Sequence, residues 1–221
     1  MNIFDIMGPI MIGPSSAHTA GAARIGRVAR HLLGCQPAKA SILLHGSFAA
    51  MGQGHGTDKA LVAGLLNMAP DDPQLPYAFD LAREAGMAVT LGKIDLPGAH
   101  PNTAVLDLTG PKGETLEVRG ASLGGGRVRM EAIDGLECSF TGDLPTLIIR
   151  NQDRPGQVHE VTGALYRWNV NIATMQLRRD ARGGLAVMVL ESDQPIDPEV
   201  IAHLRSVEGI VRVTYLDMTE G

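Results

Sequence analysis

Cysteine is scarce in this chain. Its 221 residues include two, Cys35 and Cys138, too few for a disulfide framework or a four-thiolate metal site, and a reducing compartment would leave both as thiols. Basic charge is thin as well. The formal net charge is −5, and the local basic cluster of Arg178, Arg179 and Arg182 is interrupted by Asp180. A nucleic-acid groove needs more than that, so no nucleic-acid partner is expected. The apolar start, Met1 to Ile12, carries Asp5 with no basic region ahead of it and is too short to span a bilayer. It reads as a buried N-terminal segment of a cytoplasmic protein with no membrane partner. Two motifs are missing too. No lysine with serine or threonine follows Gly124-Gly125-Gly126, which excludes a phosphate-binding loop. No nucleophile-elbow glycine pattern surrounds Ser15 or Ser16, which excludes a serine hydrolase.

What is present is concentrated in glycine-bounded polar turns. With 44% hydrophobic residues, the chain has material for two modest cores. The stretch Gly13-Pro14-Ser15-Ser16-Ala17-His18-Thr19-Ala20-Gly21 crowds four polar side chains ahead of an apolar helix. Ile25, Val28, Ala29, Leu32 and Leu33 recur there at helical spacing, and Gly34 is placed to end it. A serine at 15 or 16 is the N-cap. The remaining amides and the positive end of the helix dipole favour an anion such as a carboxylate, with His18 above it. The same residues also suit an ordinary serine-capped helix with a surface histidine.

Further along, Ser41 to Leu44 reads as a buried strand delivering His45-Gly46-Ser47-Phe48 to its end. A second glycine-spaced turn, Gly52 to Asp58, precedes a helix over 59–67 with Thr57 or Asp58 as its cap. A third helix spans 77–85, and strands follow at 89–91, 104–108, 114–119, 128–133 and 136–140. Residues 1–142 therefore form a mixed α+β domain, closed by the boundary at Thr141 to Pro145. Residues 146–221 read as βαββαβ, a ferredoxin-like unit with two helices on one sheet face. His18, His45, His55 and His100 all sit in glycine-flanked turns. None forms a recognised ligand pair by spacing, and Asp58 is the one carboxylate beside them, so no metal site on this chain is expected. His55 is expected to bond within its own turn, and His31, His159 and His203 to be solvated. Tyr166 and Trp168 are expected to pack at a helix end.

Two family resemblances follow from these stretches. The second half, with Asp153-Arg154-Pro155-Gly156 between first strand and first helix, resembles the ACT domain, a regulatory module that binds an amino acid at a dimer interface. The resemblance implies effector contacts from Asn151, Asp153, Pro155, Gly156, Gln157 and Val158, with L-serine as candidate effector, and a homo-oligomer formed through this domain. The first half resembles the β domain of the iron–sulfur-dependent L-serine dehydratases. It does so through Gly13-Pro14-Ser15-Ser16-Ala17-His18-Thr19, His45-Gly46-Ser47-Phe48-Ala49, Gly54-His55-Gly56-Thr57-Asp58, His100-Pro101-Asn102-Thr103 and Ser122-Leu123-Gly124-Gly125-Gly126. Ala17 departs from it, since that family usually has a third serine there. The resemblance implies a 4Fe–4S cluster held by thiolates of a separate α subunit, because Cys35 and Cys138 lack the cluster spacing. It implies conversion of L-serine to pyruvate and ammonia, with His18 or His45 in proton transfer and Ser15, Ser16, Thr19, Ser47, His100 and Asn102 binding substrate. The alternative reading is a non-catalytic amino-acid sensor and oligomerisation module of another metabolic enzyme.

Overall fold

The computed structural model describes residues 10–218. Most of the segment 1–12 expected to be buried lies outside the described residues, and Ile10 and Ile12 at its end are exposed. The chain divides into two compact units, Met1–Gly135 and Leu136–Gly221, so the strand over 136–140 falls in the C-terminal unit.

In the first unit a π-helical turn, Ser16–Gly21, runs directly into α1 (Ala22–Leu33). Ser15 is its N-cap, accepting the His18 N–H, and Gly34 ends α1 in the left-handed region at φ +83°. The expected stripe of Ile25, Val28, Ala29 and Leu32 is buried. After β1 (Lys39–Leu44) come α2 (Gly46–His55), α3 (Thr57–Leu65), a 3₁₀ turn into α4 (Ala78–Glu84), and β2 (Ala88–Lys93). β1 and β2 pair in parallel, so the three helices form the crossover that parallel strands require. β3 (Thr103–Thr109), β4 (Thr115–Gly124) and β5 (Arg127–Ile133) then add antiparallel, giving the order β2-β1-β3-β4-β5. Ile42, Leu106, Leu108, Val118 and Met130 are buried. α1 and α3 meet with almost no gap. A Cβ on Gly26 would lie 2.3 Å from the Leu61 carbonyl oxygen, and one on Gly64 would lie 2.0 Å from that of Ala23.

Helix α2 corrects two expectations. Residues 45–48 and 52–58 read as turns because Gly46, Gly52, Gly54 and Gly56 break the helical pattern, yet 46–55 are helical. Tertiary contacts override the propensity cost. Phe48 is fully buried, and the Ser47 and Phe48 amides both donate to the Pro101 carbonyl, at 2.8 and 3.3 Å. Gly46 sits at φ +55°, with the Pro101 oxygen 2.6 Å from where its Cβ would be. The cap expected at Thr57 or Asp58 is also displaced. Gly56 is the N-cap of α3, and no side chain caps it.

The second unit holds β6 (Leu136–Phe140), β7 (Thr146–Gln152), α5 (Gln157–Arg167), β8 (Ile172–Arg179), β9 (Leu185–Ser192), α6 (Pro198–Arg205) and β10 (Ile210–Leu216). From β7 on this is the ferredoxin-like βαββαβ order, with strands arranged β10-β7-β9-β8. Leu147, Ile149, Met188, Leu190 and Val213 pack with Val161, Leu165, Val200 and Leu204 of the two helices. β6 lies beside β8, where the Ser139 N–H donates to Gln176 Oε1 at 2.9 Å. Trp168 stacks on His203 at 6.0 Å between ring centroids, whereas Tyr166, expected to pack, is 83% exposed.

Candidate active site

The N-cap at Ser15 aims His18 inward. Placed three residues after the cap, His18 is buried within the π-helical turn, and both ring nitrogens meet hydroxyls. Ser15 Oγ is 3.2 Å from Nδ1, and Ser47 Oγ, at the start of α2, is 3.3 Å from Nε2. Since Ser15 Oγ already accepts the His18 N–H at 3.3 Å, its own proton is available to Nδ1. Nε2 then carries the ring proton and donates to Ser47, whose hydroxyl points on towards Met51 Sδ at 3.8 Å. Two rings pack edge-on against the imidazole, Phe48 at 5.4 Å and His55 at 5.1 Å between centroids. Burial, and next the neighbouring His55, hold the His18 pKa below its ordinary 6.5, against a smaller upward pull from the Ser47 backbone. His18 is thus a neutral imidazole at neutral pH.

His55 was expected to bond within its own turn. Its ring lies against His18 instead, and its buried Nδ1 has no hydrogen-bond partner among the described residues. The reason is helical: Phe48 and His55 are seven residues apart on α2, two turns along one face.

The remaining candidates surround this group without all touching it. Ser16 Oγ accepts the Gly125 N–H at 3.1 Å, tying the π-helical turn to the glycine loop between β4 and β5. Thr19 is 1% exposed beneath Gly13, and its Oγ1 is unpartnered among the described residues. His45 faces the chain after β2. Its Nδ1 meets the Leu96 N–H at 3.1 Å and the Ile94 carbonyl at 3.4 Å, and lies 3.7 Å from Asp95. His100 Nδ1 accepts the Asn102 N–H at 3.2 Å, and Asn102 Nδ2 donates to the Ser122 carbonyl at 3.5 Å. Among the described residues, no hydrogen bond or ring contact joins His45 or His100 to His18.

In the second unit, Gly156 (φ +92°) turns the chain into α5. Asp153 braces the loop from below, accepting from Arg179 Nη1 at 2.8 Å and the Gly183 N–H at 3.0 Å, and these bonds hold its carboxyl below the usual aspartate range. Asn151 and Gln157 are buried. Asn151 Nδ2 donates to the Gln152 carbonyl and Gln157 Nε2 to that of Glu208, while Asn151 Oδ1 and Gln157 Oε1 are unpartnered among the described residues. Pro155 and Val158 are exposed beside them.

Among the described residues no three histidine, cysteine or acidic side chains are grouped to hold a metal ion, and neither cysteine is in a disulfide. No helix is long and apolar enough to cross a membrane among those residues.

Comparison with known proteins agrees with this division. The sequence pattern of the family described as Serine dehydratase beta chain matches residues 2–92, and that of the ACT domain matches 145–209. The chain is 39% identical to a probable L-serine dehydratase beta chain of Bacillus subtilis and 33% identical to an L-serine dehydratase beta chain of Peptoniphilus asaccharolyticus. In both cases the alignment covers 97% of each partner. It is also 26% identical to a D-3-phosphoglycerate dehydrogenase of Archaeoglobus fulgidus, over 89% of this chain and 37% of that enzyme. Identity sustained along both units at that level leaves one assignment: the chain belongs to the serine dehydratase beta chain family and carries a C-terminal ACT domain.

Proposed function

We propose that this chain completes the active site of an iron–sulfur L-serine dehydratase of the cytoplasm, converting L-serine to pyruvate and ammonia with a separate α subunit that carries the 4Fe–4S cluster. The observation that carries the reading is the buried, neutral His18 held between Ser15 and Ser47, in a chain whose relatives are named for this activity. Deamination needs a base of near-neutral pKa for the Cα proton, and a low-pKa imidazole is unprotonated and ready to serve. Ser47, half-buried at the start of α2, accepts Nε2–H and orients the ring, and Ser15 is the contact through which a proton reaches the unprotonated Nδ1. His45, at the end of β1, is the second proton-transfer group, suited to donation to the departing hydroxyl. Loss of the Cα proton and hydroxide gives aminoacrylate, which tautomerises and hydrolyses to pyruvate and ammonia.

Ser16 keeps its O–H as a donor after accepting the Gly125 amide, and with Ser15, Ser47, His100 and Asn102 it binds substrate, its carboxylate foremost. Thr19, packed under Gly13, supports the turn from within. The ACT domain pairs copies of the chain and holds L-serine as effector at residues 151–158. The test is anaerobic reconstitution with the α chain. His18→Ala and His45→Ala should each depress pyruvate formation, and wild-type turnover in both would end the assignment. The phosphoglycerate dehydrogenase relative favours a second reading, an amino-acid-sensing module without catalysis; it gains if no α chain restores activity.

A further inference from the structure

A cleft of about 440 Å³ opens at the carboxyl ends of the parallel strands β1 and β2, between Leu44, Leu91 and Lys93 on the sheet side and α2 with Asp58 of α3 on the other. The carboxyl ends of parallel strands are where open α/β sheets receive ligands, and the volume lies in the range of small-molecule sites. None of the groups bonded to His18 lines it.

Two features of the lining bear on what the cleft could hold. The first is Gly54. It is the penultimate residue of α2, its φ is not positive, and a Cβ built on it meets nothing within 4 Å. The chain itself gives no steric reason for a glycine there. Something approaching the helix backbone from the cleft would. The second is the pair of charges. Asp58 is 9% exposed, and its one hydrogen bond is to its own neighbour's amide, Lys59 N–H, at 2.8 Å. Lys93 stands on the opposite wall. Among the described residues neither makes an ion pair, with each other or elsewhere. The first turn of α3 favours a carboxylate at Asp58, and charge-assisted hydrogen bonds from a ligand's cation would add to that stabilisation.

We propose that this cleft binds a small zwitterionic α-amino acid, Asp58 receiving its ammonium group and Lys93 its carboxylate, with Gly54 leaving room for its main-chain atoms. A monoanion would leave Asp58 unpaired and repelled, and a simple amine would leave Lys93 without a role. Leu44, Ala49 and Leu91 supply an apolar wall suited to a short side chain. The site is separate from the reaction proposed at His18, so either can fail alone.

The test is a titration of the isotope-labelled full chain with L-serine and L-alanine, followed at the Gly52, Gly54 and Gly92 amides by NMR. Saturable shifts at those three glycines are expected, with affinity lowered about tenfold or more by Lys93→Gln and binding abolished by Gly54→Leu. L-Lactate and ethanolamine, each carrying one of the two charges, should leave the amides in place. His18→Ala should retain the shifts, which separates this result from the fate of the catalytic proposal. Lys93 is exposed, so its variant folds and decides the matter without an Asp58 variant. Glycine amides unmoved by both amino acids, or equal affinity in Lys93→Gln, would overturn the proposal.

Discussion

Gly21→Ala puts the seating of the turn that carries His18 to a quantitative test. Gly21 is the last residue of the π-helical turn that carries His18, and an added Cβ would stand 2.0 Å from Ser122 Oγ and 2.8 Å from Ser122 Cβ. Rotating the hydroxyl away does not relieve the clash, because the Cβ remains, and Ser122 is fully buried in β4. Two effects oppose each other. Replacing a helical glycine by alanine gains roughly 1 kcal/mol from propensity, while overpacking a close contact costs about 1–3 kcal/mol. At 2.0 Å the clash wins, and a net loss of about 1–2 kcal/mol is expected. Urea unfolding followed by circular dichroism measures it. Gly21→Ala combined with Ser122→Gly removes both atoms that clash, so the double variant should show a favourable coupling relative to the two singles. The turn also bears Ser16 and His18, so reconstituted kcat/KM should fall with stability. A Gly21→Ala protein about 1 kcal/mol more stable than wild type, with unchanged turnover, would refute the packing argument.

The acid limb of the pH–rate profile should lie below 6.5, since His18 is held below that value; His55→Ala removes a downward influence and should move the limb up. A histidine with a depressed folded pKa contributes stability above its unfolded value and loses it as pH falls through the folded one, so wild type should lose stability below about pH 6.5 more steeply than His18→Gln in urea titrations across pH. Gly64→Ala should cost about 3 kcal/mol or more, because the atoms its Cβ would meet, Ala23 O at 2.0 Å and Arg27 N at 2.8 Å, belong to the α1 backbone. Asp153→Ala should speed amide exchange at Gly183, whose N–H it accepts, and weaken L-serine binding to the ACT domain by calorimetry; unchanged exchange would show that the carboxylate does not brace the loop.

Sequence periodicity carried the parts of this fold that repeat. The stripe from Ile25 to Leu33, the Gly34 stop and the βαββαβ order of the second unit were all legible, because burial on one face leaves a pattern of period 3.6 or 2. Helix α2 left no such pattern. Gly46 answers to the Pro101 carbonyl, a contact made by a residue far along the chain. The parallel pairing of β1 with β2 was hidden for the same reason, since three helices intervene. At the site, Ser15, His18 and Ser47 could be gathered from their turns, but the His18–His55 contact depends on α2 being a helix, so missing the helix meant missing the neighbour.

The central claim is that a buried imidazole on this chain does its chemistry only beside a cluster carried by another. Pyruvate release from L-serine, measured anaerobically with this chain alone, the α chain alone, both together, and both with His18→Ala, addresses it most directly. Product is expected from the wild-type pair alone, with the His18→Ala pair strongly depressed. Turnover by this chain by itself, or full turnover from the His18→Ala pair, would contradict the account.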